Sequence, residues 1–517
     1  MTWHAARFLF LQSFSLAFAA GLIFGCWFLV HRGQVAARSV VRVIAGVVVV
    51  GAALFWFASI LRGVLTDGAV AGADRRLHNT LRLFHSPALH IFYSSISDLA
   101  GVLFIVPLAI GVAVLFWVHQ RRYEAKIFVT AVAGAEIAAV LLKYLVHRPR
   151  PADAAALIGG PSFPSGHTLT ATAVYGILMF VLLREKPRTW WHIVSGLFLL
   201  AIILLVPMSR VYLGLHWPHD VMASLALGVA WLGCLTMLVR FRPDGTIRSD
   251  AQQPIHRTRF AALLLIGVVW AALLARFDIQ PEARPSLDPP QPVPAVVLHG
   301  FPPRVRRNSE DLIGGPMEAA SFVFIGSSPD LRASFERAGW FLADTPSASG
   351  LARELGCVIL DRPDPHGPAT PAYYDEQPQD FTFERPGTPS GSIRQRHHIR
   401  IWRSPVCIDS DCVPVWVATC SYDMGIELVA KPYLLTHRID PNVDNEREFV
   451  ARTLRSAEAT DLWMVTVTGP RHGRNAAGDV FTSDGRAHVM LLGPRAAKEV
   501  VDLIWRGRRD SNPRPPA

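Results

Sequence analysis

Eight apolar stretches follow one another in the first 275 residues, and this succession constrains the fold more than any other feature of the chain. They cover residues 8–30, 41–62, 99–118, 127–146, 168–183, 191–208, 221–240 and 259–275. A bilayer-crossing helix needs about 20 predominantly apolar residues, with about 17 at the lower limit. One or two such stretches fit inside a soluble domain, but eight in succession predict an all-α polytopic membrane bundle. Residues 1–19 have a second reading, a cleaved secretory signal ending at Ala17-Phe18-Ala19. The apolar run continues to Val30, longer than a signal h-region, and favours an uncleaved anchor.

The chain of 517 residues holds 51 Lys+Arg against 41 Asp+Glu, a formal net charge of +10. A basic balance often marks nucleic-acid binding. Here the excess lies in the membrane half: residues 1–275 hold 23 basic and 10 acidic side chains, and the remainder 28 and 31. Fourteen of the 23 lie in segments 31–42, 119–126, 184–190 and 240–259, which share one side if the eight helices alternate. By the positive-inside rule that side is cytoplasmic. No nucleic-acid partner is expected. The connections 63–98, 147–167 and 208–220, and everything after residue 276, then face the opposite compartment. Residues 74–95 are amphipathic and read as an interfacial or a connecting helix.

Three clusters of reactive side chains fall on that opposite side. The first runs from Lys143 to Arg150-Pro151, the second is Pro164-Ser165-Gly166-His167, and the third is Ser209-Arg210 followed by His216 and Asp220. Lys143, Arg150 and Arg210 are cations suited to phosphate oxygens. Ser165 and Gly166 lie in a turn that opens a helix, where free backbone N–H groups attract an anion and glycine permits close approach. His167 and His216 are suited to acid and nucleophile roles. Asp220, four residues after His216, is placed to hold its imidazole tautomer. No carboxylate cluster points to a catalytic metal. Arg148, His147 and His219 read as membrane-end anchors or interfacial side chains. Glu136, midway along a span, is either functional or hydrogen-bonded within the bundle.

This order, K-x6-RP, PSGH and SR-x5-H-x3-D, resembles the type 2 phosphatidic acid phosphatase superfamily over roughly residues 70–240, with every fixed motif position present. The resemblance implies a six-helix phosphatase core with flanking helices and a metal-independent, cofactor-free phosphoric ester or anhydride hydrolase. It also implies that His216 attacks phosphorus to form a phosphohistidine, His167 protonates the leaving oxygen and Asp220 orients His216. Lys143, Arg150, Ser165, Gly166 and Arg210 would bind the phosphoryl group.

The rest of the chain is of another kind. Residues 276–294 carry six prolines and read as a stiff linker. Beyond it, Ser321–Gly326, His398–Trp402, Val413–Val417, Leu462–Val467 and His488–Leu492 read as strands and residues 328–339 as a helix, predicting a soluble α+β domain. His397 and His398 read as ordinary strand histidines. Cys357, Cys407, Cys412 and Cys420 allow disulfides in three pairings, a zinc site or free thiols. Phe322–Ser327, Ala338–Trp340, Arg396–Trp402 and Pro414–Val417 resemble the LssY-type C-terminal domain, whose biochemical role transfers no active site.

The expected layout is therefore N-terminal transmembrane helices (1–62), a lipid phosphatase core (63–240), a cytoplasmic loop and last span (241–275), the linker (276–294), a periplasmic domain (295–505) and a disordered tail (506–517). The expected activity is hydrolysis of a lipid phosphate or diphosphate, of phosphatidate or undecaprenyl-diphosphate type, at the periplasmic face of a bacterial inner membrane. The expected partners are that lipid and the bilayer; the oligomeric state is open. Two alternatives remain: a phosphotransferase using the same phosphohistidine, and an envelope binding or scaffold protein anchored by the membrane half.

Overall fold

The computed structural model describes residues 37–66, 68–152, 159–184, 190–240, 290–294, 300–302, 305–345, 347–360, 362–387, 394–427, 436–468, 471–475 and 478–493. The expected spans 8–30 and 259–275, the signal-or-anchor alternative, residues 276–289 of the expected linker and the C-terminal tail lie outside the described residues. The chain divides into two compact units, residues 1–74 with 85–285, and residues 75–84 with 286–517.

The first unit contains α1 (Ala37–Leu65), α2 (Ala69–Arg82), α3 (Pro87–Asp98), α4 (Val102–Val118), α5 (Arg122–Val146), α6 (Gly166–Arg184), α7 (Trp190–Tyr212) and α8 (Pro218–Arg240), α2 running across the division. Six candidate spans, 43–65, 87–118, 122–146, 166–183, 190–212 and 218–237, are long and apolar enough to cross a bilayer among the described residues. Each of the six apolar stretches within the described chain overlaps one of them and runs at most three residues past either end. The amphipathic segment 74–95 is not one helix. It breaks at residues 83–86, where the Ser86 hydroxyl accepts the Leu89 N–H at 3.3 Å and Pro87 occupies the first helical turn. A serine cap followed by proline is a strong helix start. The apolar residues after it join the next span.

α6 is the most buried span and packs against α5, α7 and α8. Phe128 and Ala131 of α5, Ala171, Val174 and Tyr175 of α6, and Leu199, Ile202 and Val206 of α7 form one core. Small residues let the helices close. A Cβ at Gly228 of α8 would sit 2.6 Å from Thr172 Cγ2 of α6. Glu136 of α5 accepts a hydrogen bond from the Thr170 hydroxyl of α6, so this mid-span carboxylate has a partner within the bundle.

The second unit is rich in strands. Its main sheet contains β1 (Gln291–Val293), β2 (Phe322–Ile325), β3 (Phe341–Leu342), β4 (Phe381–Pro386), β5 (Arg396–Ile408), β6 (Val413–Glu427), β7 (Thr436–Ile439), β8 (Thr460–Thr466) and β9 (Arg486–Leu491). The order is β8-β9-β2-β6-β5-β4-β3, with β1 parallel to β5 and β7 antiparallel to β6. Each expected strand is present. Helices α9 (Ser328–Arg337), α10 (Ala348–Leu360) and α11 (Val443–Ser456) complete an α+β fold. Alternation splits the sheet's apolar side chains. Phe322, Phe324, Ile399 and Ile401 pack with Leu331, Phe335, Val450 and Leu454 of α9 and α11; Val323, Ile325, Trp402, Val415 and Val417 form a separate core. Cys407 and Cys412 form a disulfide across the β5–β6 turn, while Cys357 and Cys420 are free thiols. One pair is bonded and the other two cysteines remain thiols, so the four do not make two disulfides.

Candidate active site

The expected site residues lie on three chain segments that meet after α5, before α6 and between α7 and α8. α5 ends where His147 takes a left-handed conformation (φ 50°) and returns its N–H to Lys143 O at 3.1 Å. Pro149 and Pro151 cannot continue a helix. At the start of α6, Ser165 Oγ lies 3.5 Å from the Thr168 N–H and 3.0 Å from its hydroxyl, the pattern of an N-cap. After α7, Gly214 (φ 68°) turns the chain, and the Leu215 and His216 N–H groups donate back to Arg210 O at 3.0 and 3.2 Å.

Arg150 ties the segments together. Its Nε donates to Gly160 O at 3.1 Å and its Nη1 to Leu215 O at 2.8 Å, and the same Nη1 lies 3.3 Å from His216 Nε2. The opposite ring nitrogen, His216 Nδ1, lies 3.6 Å from Asp220 Oδ2, just beyond hydrogen-bond distance. Asp220 Oδ2 also accepts the Trp217 N–H at 3.0 Å. The two nitrogens of one imidazole thus face different partners, a carboxylate and a guanidinium.

The electrostatics favour an anion. Lys143 lies within Coulombic range of Arg150, Arg210 and Asp220, and His167 within range of Arg210, His216, Lys143 and Arg150. Arg210 is buried, with Nη1 donating to Ser97 Oγ of α3 at 2.6 Å. Burial lowers His216 to about 4, with Asp220 opposing the shift and Arg210 adding to it, so the imidazole is neutral at pH 7. Burial likewise lowers Arg150, opposed by Asp220. A Cβ at Gly166 would meet no protein atom within 4 Å, so packing does not demand glycine there. Among the described residues no group of three His, Cys, Asp or Glu side chains is placed to hold a metal ion.

The structure adds three residues that sequence reasoning missed. Arg148 is a buried bridge between Asp220 and Asp74, each at 2.7 Å, and is no snorkelling anchor. Asp74 also contacts His219, at 2.7 Å from its Nδ1, so that histidine has a carboxylate partner. Ser97 supports Arg210. Asp74 and Ser97 lie in no motif; Arg148 carried one signal, its place two residues before Arg150 among prolines.

Comparison with known proteins supplies the context. The sequence profile of the PAP2 superfamily matches residues 124–244, and that of the LssY C-terminus matches residues 302–487. The chain carries a PAP2 domain followed by an LssY C-terminal domain. It is 28% identical over 183 residues to phosphatidylglycerophosphatase B of Bacillus subtilis (strain 168), covering 34% of this chain and 88% of that protein. It is 31% identical over 108 residues to the putative undecaprenyl-diphosphatase YbjG of Escherichia coli (strain K12), covering 21% of this chain and 49% of that one. The crystal structure of a transmembrane PAP2-type phosphatidylglycerolphosphate phosphatase from Bacillus subtilis shares 25% identity at a TM-score of 0.34, covering 37% of this chain and 98% of that structure. The PAP2 relatives are membrane phosphatases, hydrolases acting on phosphoric esters.

Proposed function

We propose that this chain is an integral membrane phosphatase that hydrolyses a lipid phosphate or diphosphate through a phosphohistidine intermediate, at the periplasmic face of a bacterial inner membrane. The observation that carries the proposal is the orientation of His216, with Nδ1 toward Asp220 and Nε2 toward Arg150. Such an imidazole carries its proton on Nδ1 and a lone pair on Nε2, among cations that attract a phosphoryl group.

In the first step the Nε2 lone pair of His216 forms a bond to phosphorus as the bond from phosphorus to the lipid oxygen breaks. His167 gives the departing oxygen a proton. In the second step water attacks phosphorus, the N–P bond breaks, and His167 takes the proton from water. Inorganic phosphate leaves and both histidines return to their starting states. Lys143, Arg150, Arg210, Ser165 and the Gly166 N–H hold the phosphoryl oxygens and stabilise the charge that builds in each transition state. Asp220 stabilises the imidazole as it acquires positive charge.

The named relatives direct the choice of substrates to phosphatidylglycerophosphate, undecaprenyl diphosphate and phosphatidate. The test is phosphate release from each of these by the purified full-length protein in detergent with excess chelator. Release by the intact protein and none by His216→Ala supports the proposal. Undiminished release by His216→Ala contradicts it.

A further inference from the structure

The His216–Asp220 pair continues outward through a buried chain of charges. Asp220 Oδ1 accepts from Arg148 Nη1 at 2.7 Å, and Nη2 of the same guanidinium donates to Asp74 Oδ2 at 2.7 Å. Asp74 Oδ1 accepts the backbone N–H of His219 at 3.0 Å and lies 2.7 Å from its Nδ1. The side chains of Asp74 and Asp220 are 0% exposed and that of Arg148 is 9% exposed. Taking three charges out of water is costly unless each is paired with good geometry. A planar guanidinium fork reaches two carboxylates at once, which a lysine ammonium does not. The backbone of Arg148 is held as well, since Arg148 O accepts the Ser162 N–H at 2.8 Å.

This arrangement divides the Asp220 carboxylate between two tasks. Oδ1 is engaged by Arg148, while Oδ2 takes the Trp217 N–H and faces His216 Nδ1. Without Arg148 the carboxylate would be free to rotate, and in so buried a place its charged form would lose its principal partner. Resting on the reading of His216 as nucleophile, we propose that Arg148 and Asp74 are positioning residues of the reaction: together they fix Asp220 in plane and ionised, so that one oxygen remains for His216. Asp74 acts at one remove, orienting the guanidinium and balancing its charge. The charged and titratable groups around the pair are Arg148, Asp74 and His219 on the outer side, and Arg150, Arg210, Lys143 and His167 on the other.

The test compares full-length Arg148→Gln, Arg148→Lys and Asp74→Asn in detergent, with His216→Ala as a separate control on the nucleophile. Loss of a hydrogen-bonded charge pair predicts kcat of Arg148→Gln lower by roughly ten- to a hundredfold with KM little changed. The acid limb of its kcat/KM profile moves to higher pH, because without the Arg148 charge the Asp220–His216 pair takes up a proton more readily. Arg148→Lys restores the position of the acid limb and part of kcat. Asp74→Asn loses less activity in the same direction. If Arg148→Gln fails to fold, Arg148→Lys and Asp74→Asn carry the comparison. Activity that falls only in proportion to the folded fraction, with an unmoved acid limb, overturns the proposal. Activity of His216→Ala would instead overturn the nucleophile assignment.

Discussion

Arg150 Nη1 lies 3.3 Å from His216 Nε2, so in the proposed reaction a guanidinium and the attacking nitrogen would address the same phosphoryl group. This relationship joins a residue at the end of α5 to one between α7 and α8, 66 positions later. Arg150→Lys keeps the charge and loses the planar fork. It should lower kcat/KM by roughly a hundredfold, the scale seen when one transition-state donor is removed. Steady-state assays on the purified variant check this; activity within twofold of the parent would remove Arg150 from the phosphate cradle.

Gly166 allows the cradle to be tested without disturbing the fold. A Cβ there meets no protein atom within 4 Å. Gly166→Ala should therefore unfold at the parent's temperature while losing activity, because the methyl group occupies the approach to the backbone N–H. A variant with parental stability and parental activity would contradict a substrate contact at this position.

The acid behaviour of His216 has a definite sign. Burial lowers it to about 4, against roughly 6.5 in an unfolded chain. Between those values the unfolded chain binds the proton and the folded chain does not. The stability that the neutral imidazole contributes is complete above pH 6.5 and declines as pH falls toward 4. An NMR titration of labelled histidine, assigned with His216→Gln, should show this ring unprotonated through pH 6. A midpoint near 6.5 would contradict the account.

Much of the candidate site was legible because the proposed chemistry demands particular residue types at short spacing. Asp220 follows His216 by one helical turn, and Ser165-Gly166-His167 are consecutive. The spans were legible for a different reason, since a bilayer imposes length and apolarity on every crossing segment. Arg148 and Asp74 were not legible, because 74 positions separate them and only burial reveals that they are paired. The break between α2 and α3 was visible in Ser86-Pro87, but the amphipathic pattern around it masked the signal. The short spacing of Cys407 and Cys412 allowed a small loop, but it took the β5–β6 turn to select that pairing among the alternatives.

The orientation of the bundle rests on charge and is directly testable. Basic residues crowd segments 119–126 and 240–259, and the positive-inside rule would put the site segments 147–167 and 208–220 on the other side of an alternating bundle. Reporter fusions after residues 125 and 300 should report opposite compartments, the first cytoplasmic. The same compartment for both would refute the assignment.

The central claim is that His216 carries the phosphoryl group during turnover. Brief reaction of the full-length protein with a lipid substrate radiolabelled in its terminal phosphate, followed by rapid quenching, should leave an acid-labile, base-stable label on the peptide containing His216. His216→Ala should take up none. Label on any other residue, or phosphate release with no labelled protein under conditions that trap phosphohistidine, would contradict the account.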